Sequence, residues 1–247
     1  MSLLAGLMRV LIVENFKGTP PGLIGRELER AGITCELRRA FAGESIPDTP
    51  DGYAGLIVLG GAQSAVDDAD HPYLPRLAAL TRQFGEADKT VLGICLGAQL
   101  VARGYGARNI LGLPIEFGWQ DVWPTAVGRS DPLIAELGEA APLFHWHIDT
   151  FTLPEGALHL ATSAMTPHQA FRIRRAVYGI QFHCEADREL VETWTHDFAE
   201  TIADYAPDWP ARHPRDAGRY GARADATGVA IARAWIGLLQ SSPTQDK

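Results

Sequence analysis

From Met8 onward, short unbroken apolar runs alternate with longer stretches of helical spacing. Met8 to Glu14 (M-R-V-L-I-V-E) is nearly all apolar and ends on a charged residue, as a central strand buried on both faces would. Pro20 to Ala31 carries a helical pattern, with Gly32 as its stop signal. Ile33 to Phe41 reads as a second strand, and the Pro-, Asp- and Gly-rich stretch Pro47 to Gly52 as a loop. Leu56 to Leu59 is a third buried strand, running into Gly60-Gly61. Pro72 to Phe84 sets Leu74, Leu77 and Leu80 on one helical face. Thr90 to Ile94 is the next strand, and Leu96 to Gly104 the helix behind it. Strands alternating with helices predict βαβ units and a parallel sheet covered on both faces.

Beyond residue 107 the texture changes. Arg108 to Val127 and Leu143 to Val177 are rich in aromatic and β-branched residues, broken by Gly and Pro, with no helical period. They read as antiparallel strands that extend the sheet or pack at its edge. Two polar helices are expected to close the chain. One, Asp187 to Tyr205, carries Leu190, Val191, Trp194 and Phe198; the other, Ala217 to Leu239, carries Val229, Ile231, Ala232, Trp235 and Leu238. Residues 1–7 precede the first strand and read as an extension of the fold, and Ser241 to Lys247 as a frayed tail.

Composition narrows the function classes. A chain of 247 residues with 46% hydrophobic content can bury one large α/β core. The net charge of −8 argues against a broad nucleic-acid surface. Three cysteines, Cys35, Cys95 and Cys184, show no C-x-x-C spacing, so neither a disulfide framework nor a zinc site follows, and a reducing compartment fits them better. No run approaches the ~18 apolar residues of a membrane span. The expectation is a cytoplasmic protein that touches neither membrane nor nucleic acid. No phosphate loop, dinucleotide fingerprint or metal-ligand spacing is visible, so no cofactor and no metal are expected.

Two segments carry chemistry. G-I-C-L-G at Gly93 to Gly97 follows an apolar strand and opens a helix. This is the cysteine form of the nucleophile elbow, in which glycines permit a sharp turn that pushes the nucleophile outward. At a helix start, the dipole and unpaired N–H groups favour a thiolate. Q-F-H-C-E at Gln181 to Glu185 ends another apolar strand, where ligands sit in open α/β sheets. Residues two apart on a strand share a face, so His183 and Glu185 fall side by side and Cys184 points away. Nucleophile, base and orienting carboxylate are the set that acyl transfer through a thioester requires. For Cys35 and Cys184 the plain reading, a small buried hydrophobe, is preferred.

Four segments, L-G-G-A-Q-S at Leu59 to Ser64, G-I-C-L-G-A-Q at Gly93 to Gln99, W-H-I-D at Trp146 to Asp149 and Y-G-I-Q-F-H-C-E at Tyr178 to Glu185, occur in an order and spacing that resemble the class I, triad-type glutamine amidotransferase family. Within it, the pattern is nearest the amidotransferase domain of GMP synthase and its stand-alone relatives. The resemblance covers roughly residues 8–190. It implies an α/β, flavodoxin-like three-layer sandwich with a mainly parallel central sheet, added antiparallel strands and C-terminal helices. The amidotransferase domain would span 8–190, and 191–240 would be a helical extension packed on it.

The resemblance further implies that Cys95 attacks the side-chain amide of glutamine while His183 moves the proton and Glu185 steers the ring. It gives the oxyanion hole to the backbone N–H groups of Gly61 and Leu96. It places Gln99 against the substrate and has His147, Ile148 and Asp149 grip the substrate's amino-acid end. Three positions depart from the family pattern. Ala62 replaces a Pro, which leaves the loop after Gly61 less rigid; Cys184 replaces the Pro of H-P-E; and Ile148 replaces a Gly, which crowds the substrate loop.

The family delivers ammonia to a synthetase, and no ammonia-accepting domain is visible in these residues. Three readings follow: an amidotransferase subunit serving a synthetase partner, a stand-alone hydrolase of γ-glutamyl amides or peptides, or a non-catalytic binding module. A subunit is expected to expose an apolar patch at the mouth of the site. A stand-alone hydrolase is expected to have room for a larger leaving amine. Arg172, Arg174 and Arg175 read as the solvated side of a strand, with a docking face as the alternative.

Overall fold

A computed structural model describes residues 8–241; the segments 1–7 and 242–247, with the expected N-terminal extension and most of the expected tail, lie outside the described residues. Its centre is a nine-stranded sheet. Five strands run parallel in the order β2 (Thr34–Arg39), β1 (Arg9–Glu14), β3 (Gly55–Val58), β4 (Thr90–Ile94) and β11 (Val177–Ile180). Four antiparallel strands continue it: β10 (Ala170–Ile173), β9 (Leu158–Thr162), β6 (Glu116–Pro124) and β7 (Ala141–His147). A small ribbon pairs β5 (Asn109–Ile110) with β8 (Thr150–Phe151).

The alternating side chains of each parallel strand enter two separate cores. Val10 and Ile12 join Ile57, Leu92 and Ile94 under α1 (Gly22–Arg30) and α7 (Ala222–Gln240). Leu11 and Val13 join Leu56, Val58 and Val91 under α2 (Leu74–Glu86) and α3 (Leu96–Gly104). Burial on both faces is why these strands are apolar throughout rather than alternating. The mixed α/β architecture expected from the sequence is therefore present. The chain winds one way from β1 to β2 and the other way from β3 to β4, leaving a crevice at the carboxyl ends of β1 and β3. The loops after β1, β3, β4 and β11 all open there.

The C-terminal part departs from expectation. The single helix expected over Asp187 to Tyr205 is two, α4 (Arg188–Asp197) and α5 (Ala199–Tyr205), broken at Phe198. Asp187 caps α4 by accepting from the Leu190 N–H. The break turns the Phe198 ring toward Phe16 and Trp146, at centroid distances of 5.9 and 5.6 Å. A further helix, α6 (Trp209–Asp216), was not evident in the Pro-bearing stretch D-W-P-A-R-H-P. Pro210 sits in its first turn, where no N–H is needed. A π-helical turn, Ala217–Gly221, joins α6 to α7, so the closing helix starts later than expected. Trp194 and Trp209 pack with Phe117, Trp119 and Phe144 of β6 and β7 in a third, aromatic core.

Cys35, expected in the core, is exposed, because β2 is the edge strand of the sheet. Arg172 and Arg175 are tied down: Arg172 Nε donates to the buried Asp131 carboxylate at 2.9 Å and Arg175 Nε to Asp88 at 3.2 Å.

Candidate active site

Cys95 stands between β4 and α3 at φ +53°, ψ −109°, a conformation that a non-glycine residue adopts only when its surroundings impose it. The surroundings are backbone. A Cβ on Gly97 would lie 2.0 Å from the Val58 carbonyl oxygen, and one on Gly93 would lie 2.4 Å from the Gly97 oxygen. Both glycines serve close approach of the strand and helix, and this packing locks the turn. The Cys95 thiol donates to the Trp146 carbonyl at 3.6 Å. Gly60 forms the floor between Cys95 and His183: a Cβ there would meet His183 Cε1 at 3.2 Å and Cys95 Cβ at 3.6 Å.

β11 ends at Ile180, and the chain bends through 181–185 rather than continuing as a regular strand. His183 is fixed by a bridge to β7, its N–H donating to the Phe144 carbonyl at 2.8 Å. Its Nδ1 lies 2.7 Å from Glu185 Oε1. The start of α1 abuts this bend, with the Leu23 N–H donating to the Glu185 carbonyl at 2.9 Å. Burial alone would push the His183 imidazole down, but the negative charges of Glu185 and of the Cys95 sulfur outweigh it and raise it to about 10. The ring therefore carries a proton at neutral pH. Cys184 is buried with its carbonyl against Gly228 of α7, and burial pushes its thiol well above the ordinary range.

Two loops face this trio. After β3, Gly61 is wedged against Leu96 and Asn15; a Cβ there would lie 2.8 Å from Leu96 Cδ2 and 3.1 Å from Asn15 Cβ. The Asn15 amide donates to the Leu59 carbonyl at 2.7 Å, and the Gln63 amide donates to the Asn15 carbonyl at 3.0 Å. These bonds tie down the loop that Ala62, in place of Pro, would otherwise leave freer. On the other side, His147, Ile148 and Asp149 line the same pocket as Cys95 and His183. Gln99 is buried and donates to the Asp149 carbonyl at 3.0 Å, so it joins α3 to this loop. The Gly112 N–H donates to the Asp149 carboxylate at 2.8 Å.

Beneath His147 lies a hub that the sequence did not reveal. His147 Nε2 is 2.9 Å from Glu116 Oε2, and Nδ1 is 3.0 Å from the Asp149 carbonyl oxygen; a ring protonated on both nitrogens donates to both. The Ser163 hydroxyl donates to Glu116 Oε1 at 2.5 Å, and the Gln169 amide to Oε2 at 2.6 Å. Burial opposes ionisation of Glu116, but hydrogen bonding from His147 and Ser163 and the neighbouring His145 outweigh it and lower its pKa to about 2. Burial pushes the fully enclosed His145 down to about 3. Glu116, His145 and His147 offer ligand atoms within 4.8 Å of one another, a donor set that a transition metal takes. Both carboxylate oxygens already accept hydrogen bonds, and a cation would have to displace the one from His147. The cluster is therefore read as a hydrogen-bond hub under the loop. Glu116 sits among the apolar residues of β6, and no spacing in the sequence distinguishes it from an exposed strand glutamate.

The pocket over Cys95 has a volume of about 340 Å³. One half is lined by the loops just described; the other by Phe16, Trp146 and the C-terminal helix residues Trp194, Phe198 and Tyr205. Sequence reasoning placed Trp194 and Phe198 only as helix-packing residues; the break at Phe198 is what carries them into the site. Beside the mouth, Ile110, Leu111, Leu113 and Ile115 are exposed apolar residues on one short stretch.

Comparison with known proteins agrees with this arrangement. The family model for class I glutamine amidotransferases matches residues 15–198. The glutamine amidotransferase-like protein YfeJ of Salmonella typhimurium is 34% identical over 200 residues, covering 80% of this chain and 84% of that protein. The glutamine-hydrolysing GMP synthase of Phenylobacterium zucineum is 30% identical over 213 residues, 84% of this chain but only 39% of that protein, so the chain spans about two-fifths of that enzyme's length. Among solved structures, a glutamine amidotransferase from Methylobacillus flagellatus superposes with a TM-score of 0.80 at 26% identity, covering 98% of this chain and 99% of that one. One from Thermotoga maritima reaches 0.84 at 22% identity over 95% and 99%, a likeness of fold. The chain belongs to the class I glutamine amidotransferase family.

Proposed function

We propose that the protein hydrolyses the side-chain amide of glutamine, or of a γ-glutamyl compound, through a thioester on Cys95. The observation that carries this is the placement of Cys95 on a locked elbow, across Gly60 from a His183 ring that Glu185 holds at 2.7 Å. Cys95 as thiolate attacks the amide carbon. The protonated His183 gives its proton to the departing nitrogen, and Glu185 keeps Nδ1 occupied so that Nε2 faces the reaction. The neutral ring then takes a proton from the water that hydrolyses the thioester, releasing glutamate. The N–H groups of Gly61 and Leu96 are assigned to the oxyanion, a role worth ~3 kcal/mol per donor in such sites. Gln99, His147, Ile148 and Asp149 are assigned to the glutamyl end.

The ammonia formed would pass to a synthetase partner. A relative in Methanococcoides burtonii is named as a separate, glutamine-hydrolysing subunit of GMP synthase, which supports that division of labour. The exposed apolar stretch 110–115 at the pocket mouth supports docking of such a partner. The size of the pocket favours the second reading, release of a larger amine without channelling. The test is ammonia release from L-glutamine by the wild type and by Cys95→Ala, with intact-mass detection of a glutamyl adduct on Cys95. Turnover and adduct that vanish in Cys95→Ala support the proposal. Turnover retained in that variant refutes it.

A further inference from the structure

We propose that the half of the pocket beside His183 is a subsite for the leaving amine, and that the amine it fits is small, uncharged and aromatic. This rests on the thioester reading above. In that reading the departing nitrogen must lie next to the general acid, so the leaving group extends past His183. What lies there is a wall of rings. Trp194 packs edge-on to His183 at 5.2 Å, Trp146 stands 6.0 Å from Trp194, Phe198 is 5.6 Å from Trp146, and Phe16 is 5.9 Å from Phe198. The wall is fixed in place, because Trp194 is buried and its indole N–H donates to the Gly18 carbonyl at 2.8 Å.

Size and charge then select the occupant. A volume of about 340 Å³ lies within the range of sites that enclose small organic ligands. Ammonia needs about the space of one water, ~30 Å³. The pocket is thus overbuilt for glutamine's own leaving group. Among the described residues no Arg or Lys lines it, so a γ-glutamyl peptide, whose leaving group bears a carboxylate, finds no cationic partner. Among the same residues, Asp149 is its only carboxylate apart from the trio's own Glu185. It is engaged by the Gly112 N–H at the glutamyl end, so a polyamine finds no anion beside the rings. An aromatic amine meets edge and face contacts that favour it over an aliphatic one of equal size. The chemistry balances: the C–S bond forms as the C–N bond breaks, the amine leaves with the proton from His183, and water converts the thioester to glutamate.

The experiment compares kcat/KM for L-glutamine, γ-glutamyl-benzylamide and γ-glutamylglycine. Benzylamine is close to ammonia in basicity, so the first two amides present similar leaving groups to the acid and differ in what fills the pocket. Burial of a Phe-sized group is expected to raise kcat/KM for the benzylamide ~10- to 100-fold over glutamine. γ-Glutamylglycine should be the poorest of the three. Phe198→Ala should lower the benzylamide-to-glutamine ratio at least ~10-fold, and Phe198→Leu, a milder change to the fold, should lower it less; the ratio is insensitive to the fraction of folded enzyme. Glutamine hydrolysed as well as or better than the benzylamide, or γ-glutamylglycine preferred, overturns the inference and leaves the thioester reading standing. A ratio unmoved by Phe198→Ala also overturns it. No hydrolysis of any of the three overturns the thioester reading itself, and the inference with it.

Discussion

Glu116→Gln is the substitution that most directly tests the hub beneath His147. The change keeps shape and volume but replaces a charged acceptor by an amide, one end of which donates. Of the three donors now directed at the carboxylate, from His147, Ser163 and Gln169, at least one will face an N–H₂ group. The gap between 4.5 in the unfolded chain and about 2 in the folded one corresponds to roughly 3 kcal/mol of stability. The sign follows from the direction. A lowered carboxyl pKa gives stability that is fully present above pH 4.5 and is lost as the pH falls toward 2, whereas the amide does not titrate. The deficit of Glu116→Gln should therefore be near its full value at pH 7 and shrink steadily below pH 4.5. Urea unfolding followed by tryptophan fluorescence at pH 7, 5, 4 and 3 measures it, provided the m-value is unchanged. A deficit below ~0.5 kcal/mol at pH 7, or one equal at pH 7 and pH 3, would refute the reasoning, since both exclude charge-assisted hydrogen bonding as its source.

Three further outcomes are expected. Glu185→Gln removes the carboxylate that holds His183 protonated, so the basic limb of the kcat/KM profile should move down by ~1–3 pH units, with a fall in kcat on the order of 10³-fold or more; a basic limb that stays put would show that Glu185 does not set that charge. Gly97→Ala places a methyl 2.0 Å from the Val58 carbonyl oxygen and should lower stability by ~2–3 kcal/mol, read as a drop in thermal midpoint; a change within experimental error would mean the elbow is not closed by backbone contact. His183, raised from 6.5 to about 10, contributes stability that is complete below pH 6.5 and lost as pH rises through 10, so the wild type should weaken over that window more than His183→Gln does, and parallel curves would contradict it.

The parallel half of the sheet was legible because each of its strands must be apolar on both faces, and β1, β3 and β4 announce themselves as short runs such as Val10 to Val13. The elbow was legible because only glycine tolerates the approach of α3 to β3, so Gly93 and Gly97 flank Cys95 by necessity. The hub was not. Glu116, Ser163 and Gln169 come from three separate strands or turns, and their meeting depends on the register of β6 against β7 and β9, which turn chemistry and packing set over long separations. Cys35 misled because an edge strand and a central one share the same β-branched and apolar vocabulary; only the strand order exposes it. The break at Phe198 was hidden as well. Helical spacing runs straight through it, and what stops α4 is the pull of Phe16 and Trp146 on one ring, a tertiary cause with no local signal.

That break separates the two tasks of the pocket. The glutamyl half is built from loops at the carboxyl ends of the sheet and is pinned by Asn15, Gln63, Gln99 and the Glu116 hub, each a hydrogen bond to the backbone or to a buried carboxylate. The amine half is built largely from α4 and α5, which are held to the sheet by ring packing and by one bond from Trp194 to Gly18. Hydrogen-bonded loops tolerate little change before the trio loses its geometry, because each buried donor needs its partner. Aromatic packing tolerates exchange of one ring for another of similar volume. Residues such as Phe198 and Tyr205 can therefore be varied to reshape what leaves, without disturbing Cys95, His183 or Glu185. Selectivity for the leaving group and the chemistry of the thioester are carried by separate elements of one chain.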